Sequence, residues 1–359
     1  MMSYQGNGIG IAAFGNYIID KIRQTPRDAA AADYLKHGFR PPVLTEGRLT
    51  LVSDVDMGTG GGAYSTLKDL AKLDPKLPRA AIGKVGNDAD GLFIFEDLAA
   101  HGIDASGMER TERAGTSFTD VYQPAGGDRS FGHYQGANAL LDFDHIAANM
   151  PLIQRHRICY GGYAQLLKAL DAPNDQYGTE MARALKMISD GGVKTALAVV
   201  AMKNPSEFPL IVGPSLRYTN FFMHNGYEAG CTVWGDSEHE VTKEGAEEAA
   251  KRLFGDFGVR ELVVIHMGEE GSFGMLSDGT SHYQPAHFIA PESVVGTVGA
   301  GDAFEAGVLH GMHERKDLGE SMRLGTAMAA ICLGGRTATD SMLNMEQTLD
   351  FMARTPYIG

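Results

Sequence analysis

From residue 157 onward, short apolar runs alternate with stretches of helical period, and that alternation limits the fold more than any other feature of the chain. Arg157–Tyr160, Lys194–Val200, Tyr218–His224 and Glu261–Met267 have strand length, and the last is apolar enough to be buried on both faces. Thr179–Ser189, Thr242–Phe254, 302–314, 318–333 and 341–353 read as helices. Strands alternating with helices build a parallel sheet covered on both sides, so an α/β class is predicted. With 359 residues and 43% hydrophobic content, the chain can bury such a core in one large domain or two medium ones.

The first part of the chain follows a different rhythm. Gly8 to Ile19 reads as a strand followed by a turn, and residues 21–45 as an excursion from the core. Gly60–Leu73 is a glycine turn feeding a helix, Ala80–Val85 a strand, and Asp90–His101 a helix closed by Gly102. Thr116–Tyr122 and Ser130–Tyr134 flank Pro124-Ala125-Gly126-Gly127-Asp128, which predicts a hairpin. This hairpin and Arg48–Val52 are expected to form a small β lid over the carboxyl edge of the sheet, where open α/β folds bind ligands.

Several function classes are disfavoured. The net charge of −14 and the lack of a basic run argue against nucleic acid as a partner. Cys159, Cys231 and Cys332 show no zinc spacing and read as core thiols of a reducing compartment. No signal peptide or membrane-length apolar run is visible, so no membrane partner and a cytoplasmic location are expected. No GxxxxGK[ST] occurs, the spacing of Gly8, Gly10 and Gly15 is wrong for a dinucleotide fingerprint, and the twelve histidines form no metal-ligand pattern.

Chemistry concentrates at Gly296-Thr297-Val298-Gly299-Ala300-Gly301-Asp302-Ala303-Phe304. Glycines let main-chain N–H groups approach an anion closely, and the helix that follows (Phe304, Val308, Met312) adds its positive end. Asp302 at that mouth suits a base taking a proton from an attacking hydroxyl, while the amides of Gly299, Ala300 and Gly301 hold a phosphoryl group. An ordinary loop with Asp302 as helix cap is the plain alternative.

This stretch resembles the Asp-Thr-x-Gly-Ala-Gly-Asp signature of the ribokinase-like (phosphofructokinase-B) family of small-molecule kinases, with Gly296 in place of its first Asp. Other matches follow in order over roughly residues 10–340. Gly15-Asn16 with Asp20 is similar to the first-strand motif whose Asp binds substrate hydroxyls, implying substrate contacts at Asn16 and Asp20. Gly60-Gly61-Gly62-Ala63-Tyr64-Ser65 resembles the Gly-Gly-x-x-x-Asn signature, which places Gly60, Gly61 and Ser65 (in place of Asn) near substrate. Gly83-x-x-Gly86-Asn87-Asp88-x-x-Gly91 matches a stretch that serves as scaffold. Gly136-Ala137-Asn138 resembles a substrate-side segment, with Asn138 as the contact and Arg129 within reach of the pocket. Asn225-x-x-Glu228 is similar to the motif that orders magnesium and its waters, and Gly268-Glu269-Glu270-Gly271 resembles a nucleotide segment, with His266 where Thr is usual.

The resemblance implies a three-layer α/β/α sandwich with a mostly parallel central sheet and a small β-sheet lid. One kinase domain would span 8–355, with lid segments at about 40–56 and 114–136. It implies ATP and Mg2+, nucleotide contacts from Asn225, Thr297, Gly268 and Gly271, and Glu228 behind the magnesium waters. The activity implied is ATP-dependent phosphorylation of a hydroxyl on a small carbohydrate, in a protein that could pair into a homodimer through its lid. An adenosine-type nucleoside kinase, compatible with the Gly-Asn-x-x-x-Asp start, and a kinase-like ligand-binding protein are the rival readings. A panel of sugars and nucleosides assayed for ADP release separates the three.

Overall fold

The computed structural model describes residues 8–25, 51–124, 130–200, 204–236 and 238–358. Two sheets organise it. The larger has nine strands: β1 (Ile11–Gly15), β4 (Arg79–Gly86), β5 (Asp104–Thr111), β8 (Ile158–Ala164), β11 (Lys194–Val199), β12 (Phe221–Asn225), β13 (Leu262–His266), β14 (Ser272–Leu276) and β15 (Ser281–Gln284). The smaller has four: β2 (Ile18–Thr25), β3 (Asp54–Gly60), β6 (Phe118–Pro124) and β7 (Ser130–Tyr134). A two-residue pair, β9 (Pro173–Asn174) and β10 (Gly178–Thr179), stands apart.

The large sheet runs β15-β14-β13-β12-β11-β8-β1-β4-β5. From β5 to β13 every pairing is parallel, and β14 and β15 close the far edge antiparallel. Side chains of successive residues leave opposite faces, so Ile11 and Ala13 join one buried cluster while Ala12 and Phe14 join the other. The helices Gly62–Leu73, Ala89–Ala100, Ala300–His313 and Leu318–Cys332 cover the first face. Glu180–Asp190, Gly226–Trp234 and Ala246–Gly255 cover the second. A sheet apolar on both sides, sandwiched between two helical layers, is the expected three-layer α/β/α arrangement.

The beginning of the chain departs from the sequence reading. Gly8–Ile19 is not one strand and a turn: after β1 the chain turns a corner at Asn16-Tyr17 and continues as β2, which leaves the core. Within the small sheet β2 pairs antiparallel with β3 and parallel with β6, and β6 with β7 antiparallel, so the expected hairpin is present. Residues 26–45 of the expected excursion, Arg48 to Thr50, and the 125–129 hairpin tip with Arg129 lie outside the described residues. Leu51-Val52 is not strand, and the lid strand on that side is Asp54–Gly60. Its sequence, DVDMGTG, places Val55 and Met57 in alternation but leaves both exposed, and only its end at Thr59-Gly60 is buried. Of the described residues, no helix is long and apolar enough to cross a membrane.

Candidate active site

The glycine turn sits at the carboxyl edge of the sheet, tied to the segment after Cys332. The Val295 and Gly296 amides donate to the Leu333 carbonyl, and the Cys332 thiol lies 3.3 Å from the Val298 carbonyl oxygen. Gly299 begins the Ala300–His313 helix at φ +82°, a conformation that L side chains rarely adopt. A Cβ there would also lie 2.5 Å from the Ala338 methyl. Gly296 packs against the Gly335 carbonyl, 2.8 Å from where its Cβ would stand, which leaves no room for a carboxylate at that position.

The amides divide differently from expectation. The Ala300 N–H makes a long bond of 3.4 Å to the Thr297 carbonyl, whereas those of Gly299, Gly301 and Asp302 make no hydrogen bond to protein among the described residues. Free donors at the positive end of a 14-residue helix constitute an anion cradle. Asp302 lies beside it, buried, with Oδ1 accepting the Tyr163 O–H at 2.5 Å. Burial pushes this carboxyl up to about 6, and the Tyr163 and nearby Ser65 hydroxyls pull it back. The buried Ser65 Oγ stops short of a hydrogen bond and has no other partner.

On the substrate side, Asn16 occupies the β1–β2 corner. Its Oδ1 accepts the Tyr163 main-chain N–H at 2.7 Å, and its buried Nδ2 has no partner among the described residues. Asp20, also buried, lies on β2 with its carboxylate over Gly60, where any side chain would overlap it. Desolvation, then the charge of Asp302, pushes Asp20 up to about 7, against the Thr119 hydroxyl. Gly61, at φ +93°, starts the Gly62–Leu73 helix. Asn138 is placed otherwise than expected: both ends of its carboxamide meet the Tyr17 main chain at 3.4 Å. With its polar atoms so used, it braces the corner on which Asn16 and Asp20 stand.

On the opposite side, Asn225 and Glu228 form a capping box at the Gly226–Trp234 helix. The Glu228 N–H donates to Asn225 Oδ1 at 2.8 Å, and the Asn225 N–H donates to Glu228 Oε2 at 3.0 Å. The buried Glu228 carboxylate is close enough to raise the proton affinity of Tyr163 and Glu305. His266 pairs with Asn225 across β12–β13, its ring 3.4 Å from where a Gly301 Cβ would be, and burial pushes it down to about 4. Gly268 stands in open space at φ +57°, and Thr297 is exposed at the mouth. Gly271 is pressed against the Gln284 main chain, a packing position. Among the described residues no three His, Cys, Asp or Glu side chains converge as a metal cage. A magnesium ion that keeps most of its waters needs none, and a buried carboxylate fixed at a helix start suits its outer shell.

Sequence reasoning missed Tyr163, the buried Tyr160–Glu305 pair (2.6 Å), and Asp69, whose two buried oxygens lack partners. Gly161-Gly162 broke the apolar run at Tyr160, so β8 was read too short to bring Tyr163 to the sheet edge.

The profile of the pfkB family of carbohydrate kinases matches residues 29–345. The chain belongs to that family. Among pfkB relatives, a 5-dehydro-2-deoxygluconokinase of Clostridium botulinum is 25% identical over 298 residues, covering 82% of this chain and 83% of the relative. A ribokinase of Haemophilus influenzae is 25% identical over 317 residues, covering 88% and 94%. The fold matches Arabidopsis thaliana ribokinase complexed with ribose and ATP, with a TM-score of 0.75 at 21% identity, covering 96% of this chain and 99% of that one. Ribokinase from Giardia lamblia gives 0.76 at 15% identity, covering 97% and 99%. A pfkB carbohydrate kinase is a phosphotransferase acting on sugar hydroxyls, so the elements around Asp302 belong to an enzyme.

Proposed function

We propose that this carbohydrate kinase moves the γ-phosphoryl group of ATP to a primary hydroxyl of a small sugar, with Asp302 as the base. The observation that carries this reading is one buried carboxyl set beside three amides that make no hydrogen bond to protein among the described residues, with a second carboxyl, Asp20, near enough to repel it. The sugar lies between the two. Asp20 accepts hydrogen bonds from its hydroxyls, and the free Asn16 Nδ2 donates to it. Asp302 takes the proton as the hydroxyl oxygen attacks, and the amides of Gly299, Gly301 and Asp302 meet the charge on the transferring group. Thr297 and Gly268 line the nucleotide path. Glu228 and Asn225 would hold a magnesium ion through its waters, and the ion would supply charge neutralisation at the phosphates. A cytoplasmic location and a homodimer joined through the lid, where Val55 and Met57 are exposed, complete the reading.

The names of its relatives put 5-dehydro-2-deoxygluconate and ribose at the head of a substrate panel, followed by other sugars and nucleosides. ADP release with one or more sugars is expected. Asp302→Asn should lower kcat by roughly 10²–10⁴-fold with nucleotide binding retained. Turnover of nucleosides alone would make this a nucleoside kinase. Ligand binding without ATP consumption across the panel would make it a binding protein, and near-parental turnover in D302N would remove Asp302 from the mechanism.

A further inference from the structure

Tyr163 belongs to none of the motifs that single out the site, yet three contacts converge on it. Its main-chain N–H donates to Asn16 Oδ1 at 2.7 Å. Its ring lies on Gly62, where a Cβ would come within 2.8 Å of the ring's Cε1. Its hydroxyl donates to Asp302 Oδ1 at 2.5 Å. The phenol is thus fixed by the β1 corner and the start of the Gly62–Leu73 helix before it reaches the carboxyl. A carboxylate on the first turn of a helix can otherwise rotate, and holding one oxygen aims the other.

The surroundings make this donor matter. Asp302 faces Asp20 from β2, Asp69 from the Gly62–Leu73 helix, Tyr160 from β8 and Glu305 from its own helix. The nearby cations are engaged elsewhere: Lys68 Nζ on Thr59 and Asp97, Lys72 Nζ on the Thr339 carbonyl. Among the described residues, the Tyr163 hydroxyl is the one side chain within hydrogen-bond geometry of the Asp302 carboxyl, with the Ser65 hydroxyl nearby adding a weaker pull in the same direction. Hydrogen bonding to a charged carboxylate favours that form against burial and like charge.

We propose that Tyr163 is the positioning residue of the base: it aims Asp302 Oδ2 at the sugar hydroxyl and keeps the carboxyl ionised at working pH. This rests on the reading of Asp302 as the base. Tyr163→Phe keeps the ring on Gly62 and removes only the donor. The acid limb of its kcat/KM profile should move to higher pH by about half a unit or more. The kcat loss should be roughly tenfold near pH 6 and smaller at pH 8, with KM for ATP within about twofold. Placing 3-fluorotyrosine at 163, a stronger donor of nearly the same shape, should move the limb the other way. A ¹³C titration of the Asp302 carboxyl, assigned with D302N, follows the same shifts without turnover. An unmoved limb and an unmoved carboxyl titration in both variants overturn the proposal while the kinase reading stands. A parental enzyme inactive on the whole panel sinks that reading instead, and the carboxyl titration still decides whether Tyr163 governs Asp302.

Discussion

Two buried acids, Asp20 and Asp302, cost the folded protein stability. Asp20 and Asp302 ionise at about 7 and about 6 in the native state, against an ordinary value of 3.8 for both. Between these limits the unfolded chain has released protons that the native state still holds. Their contribution is therefore whole below about pH 4 and lost as pH rises through 6 to 7. Asp302→Asn removes that burden as it removes the base. It should be more stable than the parent at pH 8 by about 3 kcal/mol, and the gap should narrow towards pH 5 in urea unfolding. Parallel curves at the two pH values would place the Asp302 carboxyl in water. The same ionisation should give kcat/KM of the parent an acid limb near pH 6, since the base works only without its proton.

At the scale of elements, the proposed function makes the Asn225–Glu228 capping box join stability to metal handling. Asn225→Ala loses the cap, at a cost of about 1 kcal/mol, and releases Glu228 to turn. The magnesium concentration for half-maximal rate should rise. Asn225→Ser restores an acceptor for the Glu228 N–H and should recover most of the stability. An unchanged magnesium requirement in N225A would leave the pair as a helix cap alone. Such boxes are legible in sequence because they are local, and so are most of the helices. Leu318–Cys332 and Glu180–Asp190 begin within one residue of where periodicity put them. Elements whose burial comes from distant chain were not legible. β5, DASGMERT, is a polar edge strand, and Gly226–Trp234 carries two glycines and a threonine that blur its period. The site divides in the same way. Its glycine turn, Asp20 and Asp302 lie in contiguous motifs, whereas the Tyr163–Asp302 bond spans 139 residues and no short window contains both. Asn138 reads as a substrate contact in its motif, and only the structure shows that both ends of its carboxamide also meet the Tyr17 main chain.

For the whole molecule, the proposed function has the sheet and its lid share the substrate between them. Asp20 comes from the lid, Asp302 from a helix on the body, and the β1–β2 corner joins the two parts. Other ties between the two parts include the buried Lys68–Thr59 hydrogen bond at 2.8 Å and the Lys21–Asp90 ion pair at 3.3 Å. Arg336 lies 3.7 Å from Asp56 with its side chain 64% exposed, and Thr337 touches Gly58. An ion pair as exposed as Arg336–Asp56 contributes little to stability, and a sugar gripped from both parts should add to the ties that the protein makes alone. A saturating sugar, at about 100 times its Kd, should add roughly 2.7 kcal/mol, visible as a rise in Tm without ATP. Asp20→Asn should abolish that rise and leave the rise with ATP intact, because the proposed nucleotide path lies on the body beside the glycine turn. Asp302→Asn should keep both, since it removes a proton acceptor and leaves the lid's grip unchanged. A sugar-induced rise that survives in D20N would move the acceptor away from β2, and with it the geometry that sets a hydroxyl in front of Asp302.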